Sequence, residues 1–265
     1  MSKEQEDMKL RDLRVKKQLE RLRSFIFYIV SSACGYYVFS ETDFFPSIIG
    51  GNGPPDALKN VYRNYPTYDA NTNKILKYYV SLTFGYHFYS TYVFFADHSQ
   101  NARTDFLSMY AHHFSTILLV VLSYMAGYNQ MGCLINFLHD QADITLSILK
   151  VILESKYKIT SVVMAIVNTI VWWITRCYLL PIVVYQTIFV YLDTIWIIDG
   201  KLHEDRMYIK PYVYLASVFL GCLIFLHWYW FLLFLKGFYV YATKGKVDDP
   251  VSTVKKQEKK ENKKD

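Results

Sequence analysis

The chain has 265 residues, 52% of them hydrophobic and 18% aromatic, with a formal net charge of +6. Apolar runs near 20 residues, with Lys and Arg crowded into the ends and a few short loops, argue against a soluble domain. They predict an all-α, polytopic membrane protein whose first partner is the lipid bilayer.

The opening MSKEQEDMKLRDLRVKKQLE is too charged for the apolar core of a signal peptide, so insertion is expected to rest on internal spans. Residues 1–24 hold eight Lys and Arg and read as a basic N-terminal segment. Six spans follow at 25–39, 75–95, 106–127, 131–153, 161–181 and 212–235. Between the last two lies IVVYQTIFVYLDTIWII, 182–198, which follows Pro181 and carries Gln186 and Asp193. It reads either as a further crossing or as a re-entrant or interfacial link. The tail from Lys236 holds nine lysines. Basic ends favour the cytosol, and two cytosolic termini require an even number of crossings, which six satisfies. The domain reading is therefore a basic cytosolic segment (1–24), a transmembrane domain (25–236) and a basic cytosolic tail (237–265). The tail is either a disordered solubilising end or a ligand for anionic headgroups. No nucleic-acid module is visible, so no nucleic-acid partner is expected. Cys34, Cys133, Cys177 and Cys222 lie in apolar segments without CxxC spacing and read as small buried hydrophobes.

Two clusters stand out against this apolar background. HHFST begins near the head of the third span, and HDQAD, 139–143, sits inside the fourth. On a helix His139, Asp140 and Asp143 share one face, as do His112, His113 and Thr116. The intervening GYNQM is so short that the two helices must be antiparallel neighbours. The clusters thus converge in one intramembrane pocket. Ionisable groups at that depth cost several kcal/mol on most scales and mark function by default. A purely structural polar cluster and a metal site are the other readings of the same residues. The seven His of the chain form no HxxxH or HxxHH box, and no metal is expected.

The stretch RTDFLSMYAHHFSTILLVVLSYMAGYNQMGCLINFLHDQADITLSILK resembles the signature of ceramide synthases, the longevity-assurance branch of the TRAM–LAG–CLN8 domain. His112, His113, Thr116, Ser123, Tyr124, Gly132, His139, Asp140, Asp143 and Lys150 fall on that signature. ITRCYLLP, with Thr175, Arg176 and Pro181, resembles a second family stretch, and FLHWYWFLLFLKGFYVYATKGKVDD resembles the last span. The chain departs from the pattern at Gln130, Ser147 and Leu180.

The resemblance implies transfer of an acyl group from acyl-CoA to the amine of a sphingoid base, giving a ceramide. Acyl-CoA is then a co-substrate, and no cofactor is needed because a thioester is already activated. The reaction needs a base suited to neutral pH, which histidine supplies. His112 or His113 is expected to act as base or as acyl carrier, with His139, Asp140 and Asp143 orienting and balancing charge. Direct attack by the amine and an acyl-imidazole route both fit. Thr116, Ser123, Tyr124, Lys150 and Arg176 are expected to bind substrate or support the site. Arg103, Lys150, Lys156 and Lys236 are expected near the CoA phosphates. By resemblance the protein lies in the endoplasmic reticulum membrane and forms homo- or heterodimers with related synthases. The alternative is a non-enzymatic lipid-sensing or cargo-handling protein of the same superfamily. The link 182–198, as the only long segment seen to cap the lumenal half, is expected to set acyl length.

Overall fold

The computed structural model describes residues 3–40, 42–62, 74–100, 105–153, 157–190, 197–198, 201–202 and 206–244. Six long helices carry most of them: α1 (Lys3–Ser40), α2 (Lys74–Gln100), α3 (Phe106–Met125), α4 (Asn129–Ile152), α5 (Lys158–Val190) and α6 (Arg206–Lys244). Among the described residues the only strand ladder pairs Ile197–Ile198 with Lys201–Leu202. The helices close a ring in which α1 packs on α2, α2 on α3, α3 on α6, α6 on α5, α5 on α4, and α4 back on α1. α4 also touches α2 and α3, so it carries the densest set of buried side chains.

Among the described residues four helical stretches are long and apolar enough to cross a bilayer: Arg14–Ser40, Phe106–Met125, Lys158–Val190 and Pro211–Thr243. At 27 and 24 residues, α2 and α4 are about 40 and 36 Å long, enough for the hydrocarbon core. Polar side chains lower their hydropathy, and in α4 Gln130, Asp140 and Ser147 are turned inward and buried. The chain is an all-α, polytopic membrane protein. Its outer surface carries large apolar side chains such as Tyr78, Phe114, Ile159 and Phe225. Cys34 also lies on that surface, whereas Cys133 and Cys177 are buried and Cys222 is half-buried, so the four cysteines do not share one environment.

Two boundaries differ from the sequence reading. The helix that carries the first span, 25–39, begins well before it, since α1 is already helical from Lys3. The fifth does not stop at Pro181. A wide π turn, Trp173–Leu179, precedes the proline, and the Leu180 N–H bonds back to the Thr175 carbonyl. Proline lacks an N–H and crowds the carbonyl one turn earlier. The wider spacing of a π turn loosens that crowding, so the helix runs on through Leu180–Tyr185 and a second π turn, Gln186–Val190. The first nine residues of 182–198 thus prolong α5, and residues 191–196 lie outside the described residues.

The α1–α2 link, on which the sequence reading is silent, plugs one end of the ring. Phe44, Phe45, Leu58 and Val61 are at most 3% exposed. They pack with Phe39 of α1 and with Met131, Leu134 and Phe137 of α4, and Val183 and Val213 belong to the same cluster. Phe137 meets Phe39 and Phe45 edge to face, with centroids 5.7 and 5.5 Å apart, and Phe39 and Phe45 lie tilted against each other at 5.4 Å. Glycines let this link turn so tightly: a Cβ at Gly51 would stand 2.0 Å from the Phe45 carbonyl oxygen. The link 182–198 is therefore not the only segment able to close that end.

The α3–α4 connection is as short as expected. Gly127 takes φ 72°, the Gly127 N–H bonds the Tyr124 carbonyl, and the Tyr128 N–H bonds the Ser123 carbonyl at 2.7 Å. This is a Schellman ending, for which glycine is the residue without strain. It sends α4 straight back along α3.

Candidate active site

A cavity of about 600 Å³ runs down the inside of the ring. One end is charged and is lined by Lys17 and Arg21 of α1, Asp97 of α2, Asp105 before α3, and Lys150 of α4. The other end is apolar and is lined by Leu122, Met131, Ile188, Val213 and Leu220. The middle of α1, from Lys17 to Tyr28, and the end of α6, at Gly237 and Tyr241, both line the cavity wall. Arg21 Nη1 donates to the Lys150 carbonyl at 2.8 Å and Lys17 pairs with Asp97 at 3.7 Å, tying the charged mouth together across three helices.

Between mouth and floor the two sequence clusters meet. His112, His113 and Thr116 of α3 face His139, Asp140 and Asp143 of α4 across the cavity. Thr116 donates its hydroxyl to the His112 carbonyl at 2.8 Å. His139 is held by its backbone-facing nitrogen, with Nδ1 2.7 Å from the Ile135 carbonyl. A carbonyl only accepts, so Nδ1 carries the proton and neutral His139 keeps its lone pair on Nε2. Thr91 donates to the His87 carbonyl at 2.8 Å, which leaves its oxygen to accept from His113 Nδ1 at 3.3 Å. Phe94 packs on the His113 ring at 4.9 Å.

The carboxylates take partners from helices that the sequence reading did not connect to them. Asp143 forms an ion pair of 2.7 Å with Arg176, which is 2% exposed and sits on the wide turn of α5. Arg176 also donates to the His139 carbonyl at 3.0 Å and lies 4.2 Å from the centre of the Trp172 ring. One guanidinium thus locks α5 to α4 at the site, with a stacking contact behind it. Asp140 is 2% exposed and accepts from Ser31 of α1 at 2.6 Å. Asn136 reaches the same Asp140 oxygen at 3.4 Å and joins His87 of α2 at 2.7 Å. The two aspartates therefore hold the surrounding helices through a hydroxyl, an amide and a guanidinium, and their charge balance comes through Arg176. A buried charge demands such partners, since an unpaired one costs several kcal/mol.

The other predicted residues fall in distinct places. Ser123 lines the floor half, and a Cβ on Gly132 would approach Ser123 Oγ to 2.8 Å, so glycine at 132 lets α3 and α4 close on each other there. Tyr124 is 65% exposed and points out of the ring. Lys150 lines the mouth, whereas Lys236 is exposed and lies off the cavity wall. Arg103 and Lys156 lie outside the described residues. Lys17 and Arg21 of α1 were not foreseen at the mouth.

The largest omission is His227. It is wholly buried in α6, with its ring 4.8 Å from that of His139 and 6.3 Å from that of His112. The signal that marks it is simple: an ionisable residue inside an apolar span is a functional position by default. His87, inside the second span, carried the same signal, whereas Ser31 and Asn136 had none comparable.

Comparison with known proteins places the chain in a family. The TLC domain model, TRAM_LAG1_CLN8, matches residues 17–236. The chain is 28% identical to ceramide synthase 1 LOH3 of Arabidopsis thaliana over 148 residues, 55% of this chain and 46% of that one. It is 30% identical to an ASC1-like protein of Solanum lycopersicum over 55% of this chain and 46% of that one. It is 25% identical to ceramide synthase 4 of Bos taurus over 239 residues, 89% of this chain and 53% of that one. The matches thus span about half the length of these relatives. The chain belongs to the TLC domain family.

Proposed function

We propose that this chain is a ceramide synthase, an acyl-CoA-dependent N-acyltransferase acting on a sphingoid base. The observation that carries the reading is the set of imidazoles His112, His113 and His139 lining one cavity that is charged at its mouth and apolar at its floor. That gradient fits a substrate with a phosphorylated head, a thioester and a long tail. The CoA head lies at the mouth, where Lys17, Arg21 and Lys150 offer positive charge, and the tail lies among the apolar side chains below.

In this reading the amine of the base loses its proton to an imidazole, with His112 as base. The amine nitrogen attacks the thioester carbonyl, the new C–N bond forms, the C–S bond breaks, and the thiolate leaves as CoA after taking up a proton. The atoms balance without an added oxidant, reductant or metal. A neutral imidazole is the right base because its ordinary pKa lies near operating pH. The Arg176–Asp143 pair presents a fixed dipole beside His139 and holds the wall in place. Both lipid substrates enter from the bilayer, the termini face the cytosol, and the membrane is that of the endoplasmic reticulum. Pairing with a second synthase chain belongs to the same proposal.

The test is direct. Membranes containing the chain, supplied with a sphingoid base and an acyl-CoA, are expected to form the amide and release free CoA in equal amounts. No amide above that of empty membranes, across short and long acyl-CoAs, defeats the reading.

A further inference from the structure

Both ring nitrogens of His227 are buried and meet no hydrogen-bond partner among the described residues. The ring itself is well fixed. Its own carbonyl accepts from Trp172 Nε1 at 3.1 Å, and the Trp172 and Trp230 rings stand 5.7 and 6.0 Å away. Each unsatisfied buried polar group costs about 1–3 kcal/mol, and such groups are rare enough to require a reason. Leu or Phe at this position would fill the space without that cost.

The reason lies in the neighbours. His112 Nδ1 and His139 Nε2 are also buried without a partner. Three adjacent rings therefore carry four open nitrogens, and their capacities complement one another. His139 Nε2 must accept, because Nδ1 already donates to Ile135. Neutral His227 has one N–H and one lone pair. Its N–H suits His139 Nε2, and its lone pair suits an N–H on His112 Nδ1. Small rotations of rings 4.8 and 6.3 Å apart complete a chain that runs one way, from His112 through His227 to His139.

We propose that His227 is the positioning residue that links His112 to His139 and relays the proton of the acyl transfer between them. The proposal rests on the acyltransferase reading above. The link fixes His112 with its proton on Nδ1, so the lone pair on Nε2 is the base. When Nε2 takes the proton of the amine, the Nδ1 proton passes to His227, and the other His227 proton passes to His139 Nε2. His139 then carries N–H on both nitrogens and holds the positive charge, and a turn of its ring from His227 toward the cavity it lines delivers the Nε2 proton to the departing thiolate. One N–H is lost and one S–H is made, and His139 returns to the neutral form. The charged groups facing this chain are Arg176 from α5, paired with Asp143 from α4, and Asp140, which is held by Ser31 of α1. From α3 it also faces His113.

The experiment uses the full chain with three substitutions. His227→Gln keeps a donor and an acceptor but cannot relay, His227→Phe keeps the ring shape, and His227→Ala leaves a space for added imidazole. We expect kcat to fall about a hundredfold in all three, within the range for a lost proton-transfer group. KM for both substrates is expected to stay within about threefold, since the ring is off the cavity wall. Imidazole restores turnover to His227→Ala and not to His227→Phe, which a purely structural role does not produce. If the Ala and Phe variants fail to accumulate, the Gln variant decides alone. A kcat within about threefold of the parent chain in either Gln or Phe overturns the relay. A parent chain that forms no amide defeats the acyltransferase reading instead.

Discussion

The two halves of the cavity are built on opposite principles. The mouth half is held by directed bonds: Asp140 to Ser31, Asn136 to His87, and Arg176 to Asp143 and the His139 carbonyl. Each bond joins two different helices. The floor half is held by apolar contact, with Phe39, Phe45 and Leu134 completely buried and Phe137 set edge to face against both phenylalanines. The difference shows how one ring of helices serves two tasks. Directed bonds fix angles and therefore chemistry. Apolar packing fixes volume and tolerates a change of shape more readily than a change of angle.

Substitutions in the mouth half should therefore remove chemistry, and those in the floor half should retune it. The largest effect is expected from His112→Ala combined with His113→Ala. Acyl transfer should fall at least about a thousandfold, on the scale of a lost general base or nucleophile, while the protein still accumulates in membranes. Turnover near that of the parent chain in the double variant removes these residues from the mechanism. Asp140→Ala should also abolish transfer, through loss of the bonds that hold α1 and α4 at the site.

Arg176→Met comes next. It strands Asp143 without its buried partner, for a loss of about 3–5 kcal/mol and a lower melting temperature in detergent. Adding Asp143→Asn should recover most of that stability but little activity. A double variant as unstable as the single one shows that the guanidinium stabilises through Trp172 and His139 rather than through the ion pair.

Gly132→Ala tests the seam where the halves meet. The added Cβ crowds Ser123, and overpacking of this kind costs about 1–3 kcal/mol. Ser123→Gly in the same chain should relieve it, with thermal stability as the readout. Equal losses in the single and double variants place the strain elsewhere.

The smallest effect belongs to the floor. Met131→Ala lengthens the apolar end, and each additional buried methylene is worth about 0.8 kcal/mol. Competition between acyl-CoAs of graded length should show a preference moved to longer chains with turnover retained. The same measurement on exchanges of 42–62 and of 182–198 ranks the two segments that approach this end. Unchanged preference in Met131→Ala and in the 42–62 exchange leaves the α1–α2 plug a passive closure.

Much of this molecule was determined locally. Apolar run lengths identified a polytopic helical protein. The spacing within HHFST and HDQAD put each cluster on one helical face, and the short GYNQM turn made those faces meet. Periodicity, however, names a face and not what the face meets. Ser31 and Asp140 are 109 residues apart, and Arg176 reaches back 37 residues to the His139 carbonyl. Only the closed ring of six helices brings them together. The same holds for His227, a single histidine in an apolar span until packing sets it between His112 and His139. Pro181 read as a stop because local sterics say so, and the π turn before it overrode that rule. The sequence by itself determined which helices form and which of their faces are polar. Tertiary structure decided the partners, because a buried polar group takes whichever complementary atom the packing of distant helices delivers.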